Sequence, residues 1–242
     1  MRRSAQASPP ASAAAVHRRT RALANPLRAK GLQRFFKTAP GEYAAGDRFL
    51  GIKVPELRQL SRIYRNLPLQ DISRLLESPW HEERLLALLI LVGQYQRGDV
   101  RRRAAIYRAY LRNRRRINNW DLVDCSAEHI VGAHLRGADR RILKRLAKSS
   151  FVWDRRIAIL ATFHYIKAGE FETTMAIARM LLNDPHDLIH KAVGWMLREI
   201  GKRDQQVEEE FLRVHAARMP RTMLRYAIER FPEKLRRRHL GN

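Results

Sequence analysis

Apolar residues recur along this chain at the spacing of one face of an α-helix. Between Pro79 and Gln96 they fall at Leu85, Leu88, Leu89 and Val92, an i, i+3, i+4, i+7 series. The same period runs through Val152 to Ala168, Phe171 to Leu182 and Glu208 to Ala217. Ser78-Pro79 predicts an N-cap followed by proline in the first turn, and Asp184-Pro185 predicts the same for a helix ending near Gly201, with Asp187 as a capping-box-like partner. Breaks are expected at Gly98, Gly137, Gly169, Gly201 and Pro220. No convincing alternating run predicts a sheet. The expected class is all-α.

The helices repeat. Arg84, Trp120, Arg156, Lys191 and Arg225 are separated by 36, 36, 35 and 34 residues. Leu88, Asp124, Leu160, Trp195 and Glu229 follow each by four, on the same helical face. A period near 35 built from helix pairs predicts an α-solenoid whose equivalent helices line one concave wall. On that register the wall carries Arg84, Trp120, Asp124, Arg156, Lys191, Trp195 and Arg225. It is a basic surface with two tryptophans and one carboxylate.

Composition sharpens the picture. The 242 residues include 48 Lys+Arg and 24 Asp+Glu, a formal charge of +24, which points to a polyanionic partner, nucleic acid before anionic membrane. Residues 1–41 hold nine basic residues and no acid, and the remaining 39 basic against 24 acidic residues keep the rest basic by itself. The Ala/Ser/Pro-rich start predicts a disordered basic arm over residues 1–30, with the repeat domain over 31–242. The start lacks the apolar stretch of a secretory signal, so export is not expected; its acid-free, Arg/Ser-rich character also fits an organelle transit peptide. No apolar run reaches the ~18 residues of a membrane span. Cys125 is the sole cysteine, which excludes an intrachain disulfide and a cysteine zinc cluster and suits a cytoplasmic setting.

Each candidate has a plainer reading. Asp124 could simply pair with Arg155 or Arg156, the tryptophans could fill the core, and Lys191 and Arg225 could be general surface charges. Arg155 and Arg156 are adjacent, and periodicity separates them weakly. His186 and His190 stand i, i+4 beside Asp187 but lack the glutamate of a metalloprotease helix. Cys125 and His129 read as a thiol beside a helix histidine, and His81-Glu82-Glu83 as acids favoured at a helix start. A carboxylate on a cationic wall is the unexpected member, because phosphate repels it. It suits a ligand that carries positive charge.

These residues also carry a family resemblance. Phe35-Phe36-Lys37-Thr38 through Gly46-Asp47-Arg48-Phe49-Leu50-Gly51, His81-Glu82-Glu83-Arg84, Asn118-Asn119-Trp120-Asp121-Leu122-Val123-Asp124 and Trp153-Asp154-Arg155-Arg156 resemble the AlkD-like DNA glycosylases of the DNA alkylation repair family. So do Asn183 to Trp195 and Met219 to Ala227, and the likeness spans about residues 33–238. The resemblance implies a right-handed solenoid of HEAT-like repeats. It implies removal of cationic 3-alkyladenine and 7-alkylguanine from double-stranded DNA, with no cofactor and no metal. It implies Asp124 as the catalytic aspartate, Trp120 and Trp195 as the tryptophans at the lesion, and Arg156 as the arginine beside it. Lys191, Arg84 and Arg225 are expected as further DNA contacts. A monomer in the cytoplasm, drawn to the nucleoid by DNA, is expected. The alternative is a non-catalytic solenoid that binds DNA or RNA structures.

Overall fold

A computed structural model describes residues 12–241. The described residues are helical, with an isolated bridge between Arg48 and Trp80 in place of any strand. In chain order the helices are α1 (Ala13–Ala22), α2 (Pro26–Phe35), α3 (Val54–Ile63), α4 (Leu69–Leu76), α5 (His81–Arg97), α6 (Val100–Arg112) and α7 (Trp120–Asp124). There follow α8 (Arg141–Ala147), α9 (Val152–Ala161), α10 (Phe163–Ile166), α11 (Glu172–Met180), α12 (Asp187–Gly201), α13 (Gln205–His215), α14 (Arg221–Ala227) and α15 (Glu233–Leu240). A π-helical turn at Glu128–Gly132 and short 3-10 turns join them. Among the described residues, no helix is long and apolar enough to cross a membrane. The expected single repeat domain divides into two compact units, one reaching to Leu122 and one starting at Val123.

In the first unit α3 and α4 pack on α5. Leu85 and Leu88 of the expected apolar face are buried, and Leu89 and Val92 are half-buried. The start of α5 is enclosed all round, so its charged residues need partners there. Glu82 accepts the backbone N–H groups of Leu50, Gly51 and Ile52 at 2.8, 2.7 and 3.2 Å. Glu83 accepts from the Thr20 hydroxyl at 2.8 Å and from the Ser78 hydroxyl, and meets His17 Nδ1 at 2.8 Å. These acids anchor distant chain segments as well as standing in the first turn of α5.

The expected disordered arm needs correction. Residues 1–11 lie outside the described residues, and residues 12–30 hold α1 and the start of α2. The Ser12 hydroxyl caps α1 by accepting from Ala15 N–H, and Asn25 caps α2 by accepting from Arg28 N–H ahead of Pro26. Ala13, Val16 and Thr20 are buried, one helical face of α1. A short basic helix rich in alanine reads as flexible by composition. Its order comes from partners some 60 residues away, Asp71 and Glu83.

A helix-entry turn recurs along the chain. Ser78, Ser149 and Asp184 each accept, through the side chain, the N–H two residues on, at Trp80, Phe151 and His186, over 3.1, 3.2 and 2.9 Å. Six residues after each, Arg84, Arg155 and His190 donate back to the carbonyl of Ser78, Ser149 and Asp184. The helices therefore start at His81, Val152 and Asp187, later than a cap at Ser78 or Asp184 predicts. The turn sets the repeat register: Arg84 is equivalent to Arg155, one position before Arg156.

In the second unit α9 packs on α8 and α12, and α12 on α13 and α14. Gly194 permits the last contact, since a Cβ there would lie 2.4 Å from the Met223 carbonyl oxygen. Gly201 leaves room for the Glu208 carboxyl of α13 in the same way. Glu208 is 2% exposed and its Oε1 has no hydrogen-bond partner. Burial pushes its carboxyl up to about 8, Glu209 adding to the rise and Arg198 opposing it. A raised folded-state pKa means stability held below about 4.5 and lost as pH climbs toward 8. By pH 7 the cost is roughly 3 kcal/mol. Glu208→Gln is therefore expected to raise stability by about 1–3 kcal/mol at pH 8 and to leave it unchanged near pH 4. Urea unfolding at both pH values checks this; an equal effect at both would contradict it.

Candidate functional site

The second unit holds the candidate carboxylate. Asp124 closes the five-residue helix α7, and Arg156 stands in the first turns of α9. Arg156 grips Asp124 with a two-pronged bond, Nε to Oδ1 at 2.8 Å and Nη2 to Oδ2 at 2.7 Å. Its remaining arm donates to the backbone carbonyl of Leu188 in α12 at 2.5 Å. The fork fixes both carboxylate oxygens and ties α7, α9 and α12 through one guanidinium. The two partners differ in access: the Arg156 side chain is 6% exposed and that of Asp124 19%. The Asp124 side chain is thus partly exposed, while the arginine is committed to the protein. Arg155, the competing neighbour, turns instead to Asp184 at 2.5 and 3.2 Å.

Helix α12 supplies the rest. Trp195 lies two turns beyond Leu188 and is half-buried, its indole N–H donating to Glu199 at 3.2 Å and its ring edge-on to Phe163 at 5.8 Å. Lys191 sits between them, half-exposed and paired with Asp187 at 2.7 Å. Arg225 on α14 is exposed. His186 and His190, weighed as metal ligands, serve the entry of α12: the His186 ring accepts the Leu188 N–H at 3.2 Å, and His190 donates to Asp184.

Trp120 belongs to the first unit. Its indole stacks on Phe36 at 5.3 Å, Phe36 stacks on Phe49 at 5.0 Å, and Phe49 stacks on His81 at 4.6 Å. It is a half-buried member of an aromatic column, and Phe35 meets it from the exposed side at 6.1 Å. The column ends in ionised groups. His81 Nε2 meets Asp121 Oδ2 at 2.8 Å and Nδ1 meets Asp47 Oδ2 at 3.4 Å. Burial works against a charged imidazole, yet the Asp121 carboxylate, aided by Asp47, raises His81 to about 9. Asp47 in turn receives Arg84 at 2.7 Å, Asn118 at 3.2 Å and Asn119 at 3.3 Å. Against the penalty of burial, His81, Arg84 and Asn119 hold its carboxyl below the usual range.

Arg84 is therefore a correction. Expected as a DNA contact on the wall, it is 4% exposed and holds Asp47 and the Ser78 carbonyl. The reason is the one-residue offset in register: Arg84 occupies the Arg155 place, which faces a structural carboxylate. Asp47, Asp121 and Trp80 were given no role by the sequence reading, and His81 only a place at a helix start. Asn118-Asn119 ahead of Trp120 was the available signal, since two amides before a short helix call for a buried acceptor. Among the described residues, no group of three or more His, Cys, Asp or Glu could hold a metal ion.

A family model described as DNA alkylation repair enzyme matches residues 16–231. No curated protein matches the sequence. A solved structure described as a "predicted DNA alkylation repair enzyme" from Enterococcus faecalis is similar in fold, with a TM-score of 0.66 and 18% identity over 87% of this chain and 97% of that one. The match reaches back to the middle of α1, in keeping with an ordered N-terminal helix. With nine-tenths of its length under one family model, this chain belongs to the DNA alkylation repair enzyme family, and its role lies in the repair of alkylated DNA.

Proposed function

We propose that the protein is a monofunctional DNA glycosylase that hydrolyses the N-glycosidic bond of N3- and N7-alkylated purines in duplex DNA. The observation that carries this reading is Asp124, a partly exposed carboxylate oriented on both oxygens by a buried arginine. An N7-alkylated guanine is cationic and already a good leaving group. As its bond to C1′ breaks, the electron pair passes to N9, the base leaves neutral, and positive charge develops on the deoxyribose. A carboxylate about 4 Å away, at an effective dielectric of about 20, attracts that charge by roughly 4 kcal/mol. Only the part gained between ground and transition state accelerates the reaction. Water then attacks C1′, and in this reading Asp124 orients it and takes its proton. No acid is needed for the leaving base. No Schiff-base role is assigned to a lysine among the described residues; Lys191 pairs with Asp187 at 2.7 Å.

Trp195 offers a flat face to the sugar. Lys191 and Arg225 would neutralise backbone phosphates. Such a protein would work as a monomer in the cytoplasm wherever DNA is alkylated. A non-catalytic binder of DNA or RNA structures needs the same Asp124–Arg156 pair only as a brace, so chemistry is the discriminating readout. Incubation with a duplex carrying 7-methylguanine, followed by hot alkali, is expected to cut the strand at the lesion. Tight binding with no alkali-labile site would refute the enzymatic reading and leave the binder.

A further inference from the structure

We propose that Trp80 and the two arginines over its ring, Arg21 and Arg48, form a preorganised site for the backbone phosphates of duplex DNA. The proposal rests on DNA as the partner but not on excision. The Arg21 guanidinium carbon lies 4.8 Å from the Trp80 ring centroid and that of Arg48 lies 4.5 Å from it. The two cations are therefore held within about 9 Å of each other, and both residues are exposed.

All three groups are fixed from behind. The Arg48 backbone bridges to Trp80, and the Arg48 carbonyl accepts the His81 N–H at 2.8 Å. Trp80 N–H is bound by the Ser78 hydroxyl in the helix-entry turn. Arg21 follows Thr20, whose hydroxyl is locked to the buried Glu83. Glu83 also draws Arg21 from 3.9 Å, but its oxygens are already taken by Thr20, His17 and Ser78, and the Arg21 side chain stays 54% exposed. On these anchored backbones the contacts with the Trp80 ring reduce the rotamer freedom the two arginines have left to lose on meeting a ligand, the usual cost of a long cationic side chain.

The charge pattern selects the ligand. Two guanidinium groups near one indole repel each other, the ring offsets part of that, and a bridging anion turns the arrangement attractive. Helix α1 adds exposed Arg18 and Arg19 and has no acid in its first turn. A DNA strand presents one phosphate per 3.4 Å of helix axis, so cations within about 9 Å can engage neighbouring phosphates of one strand. Contacts of this kind fix position without reading sequence.

The test is binding of the full chain to an undamaged duplex across a salt series. Each phosphate contact contributes about 0.9 to the slope of log affinity against log salt. Arg21→Ala/Arg48→Ala should flatten the slope by about 2 and raise Kd at 100 mM salt by tens of fold. Trp80→Leu, which keeps both charges, should leave the slope near the parent value and still weaken binding several-fold, because the cations are no longer held. Arg101→Ala/Arg108→Ala removes two exposed arginines of α6 that no ring holds, and should change the slope by less than 1. A slope unaltered in Arg21→Ala/Arg48→Ala, an equal loss in the α6 pair, or full affinity in folded Trp80→Leu would each overturn the site. Excision of 7-methylguanine is scored separately: absent excision by the parent defeats the glycosylase reading and leaves this one standing.

Discussion

Asp124→Asn is expected to slow excision of 7-methylguanine by about 100-fold or more while Kd for undamaged duplex moves less than about threefold. The substitution keeps shape and removes charge. An asparagine oxygen can still accept one bond of the Arg156 fork, so α7, α9 and α12 stay joined at a weakened joint. What disappears is the negative charge that meets the positive sugar, and a loss on the order of 3 kcal/mol in the barrier corresponds to that factor. The variant also leaves the Arg156 guanidinium, 6% exposed, beside a neutral partner, and some stability goes with it. Excision is therefore compared well below the melting temperature of the variant, per folded molecule. If Asp124 serves only as a brace for Arg156, the melting temperature falls and the excision rate holds. A parent-like rate ends the catalytic assignment.

The helical class was legible because its cause is local. Apolar spacing marked α5, α11 and α13 to within about three residues, cap signals marked α12, and the run expected as one helix over Val152–Ala168 is divided into α9 and α10. Helix starts were read too early at Ser78 and Asp184 because a side chain that accepts the N–H two residues on has the same composition as a cap. Asp124 and Arg156 were legible as chemistry, since a carboxylate among cations is conspicuous, but which of two adjacent arginines it meets is decided by packing alone. The roles of Glu82, Glu83 and Arg84 were not legible. Their partners at residues 17, 20, 47 and 50–52 lie 30 to 66 positions away, where no periodic pattern reaches. The same blindness turned α1 into an expected arm: its binding site is a carboxylate buried on α5.

Asp47→Ala is expected to cost about 3–5 kcal/mol of folding stability, the scale for removing one partner of a buried ion pair. Asp47 and Arg84 are each 5% exposed in their side chains. Without Asp47, Arg84 keeps only the Ser78 carbonyl, His81 keeps only Asp121, and the Asn118 and Asn119 amides lose their shared acceptor. The pH dependence distinguishes this from a simple cavity. In the parent, the raised His81 contributes stability that is full below about 6.5 and is lost as pH rises toward about 9. The lowered Asp47 contributes above about 3.8 and its share is lost in acid. The difference between parent and Asp47→Ala should therefore be largest near pH 6 and shrink toward pH 9.5, where His81 is neutral and one of the two cations that Asp47 served is gone. Urea unfolding at the two pH values measures it, and a penalty under 1 kcal/mol or one indifferent to pH would remove Asp47 from its place at the centre of this network. Because Asn118 and Asn119 lead directly into Trp120, whose ring rests on the column that ends at His81, the same variant should loosen the start of α7. Excision should then fall in Asp47→Ala even at temperatures where the chain stays folded, although Asp47 touches no substrate.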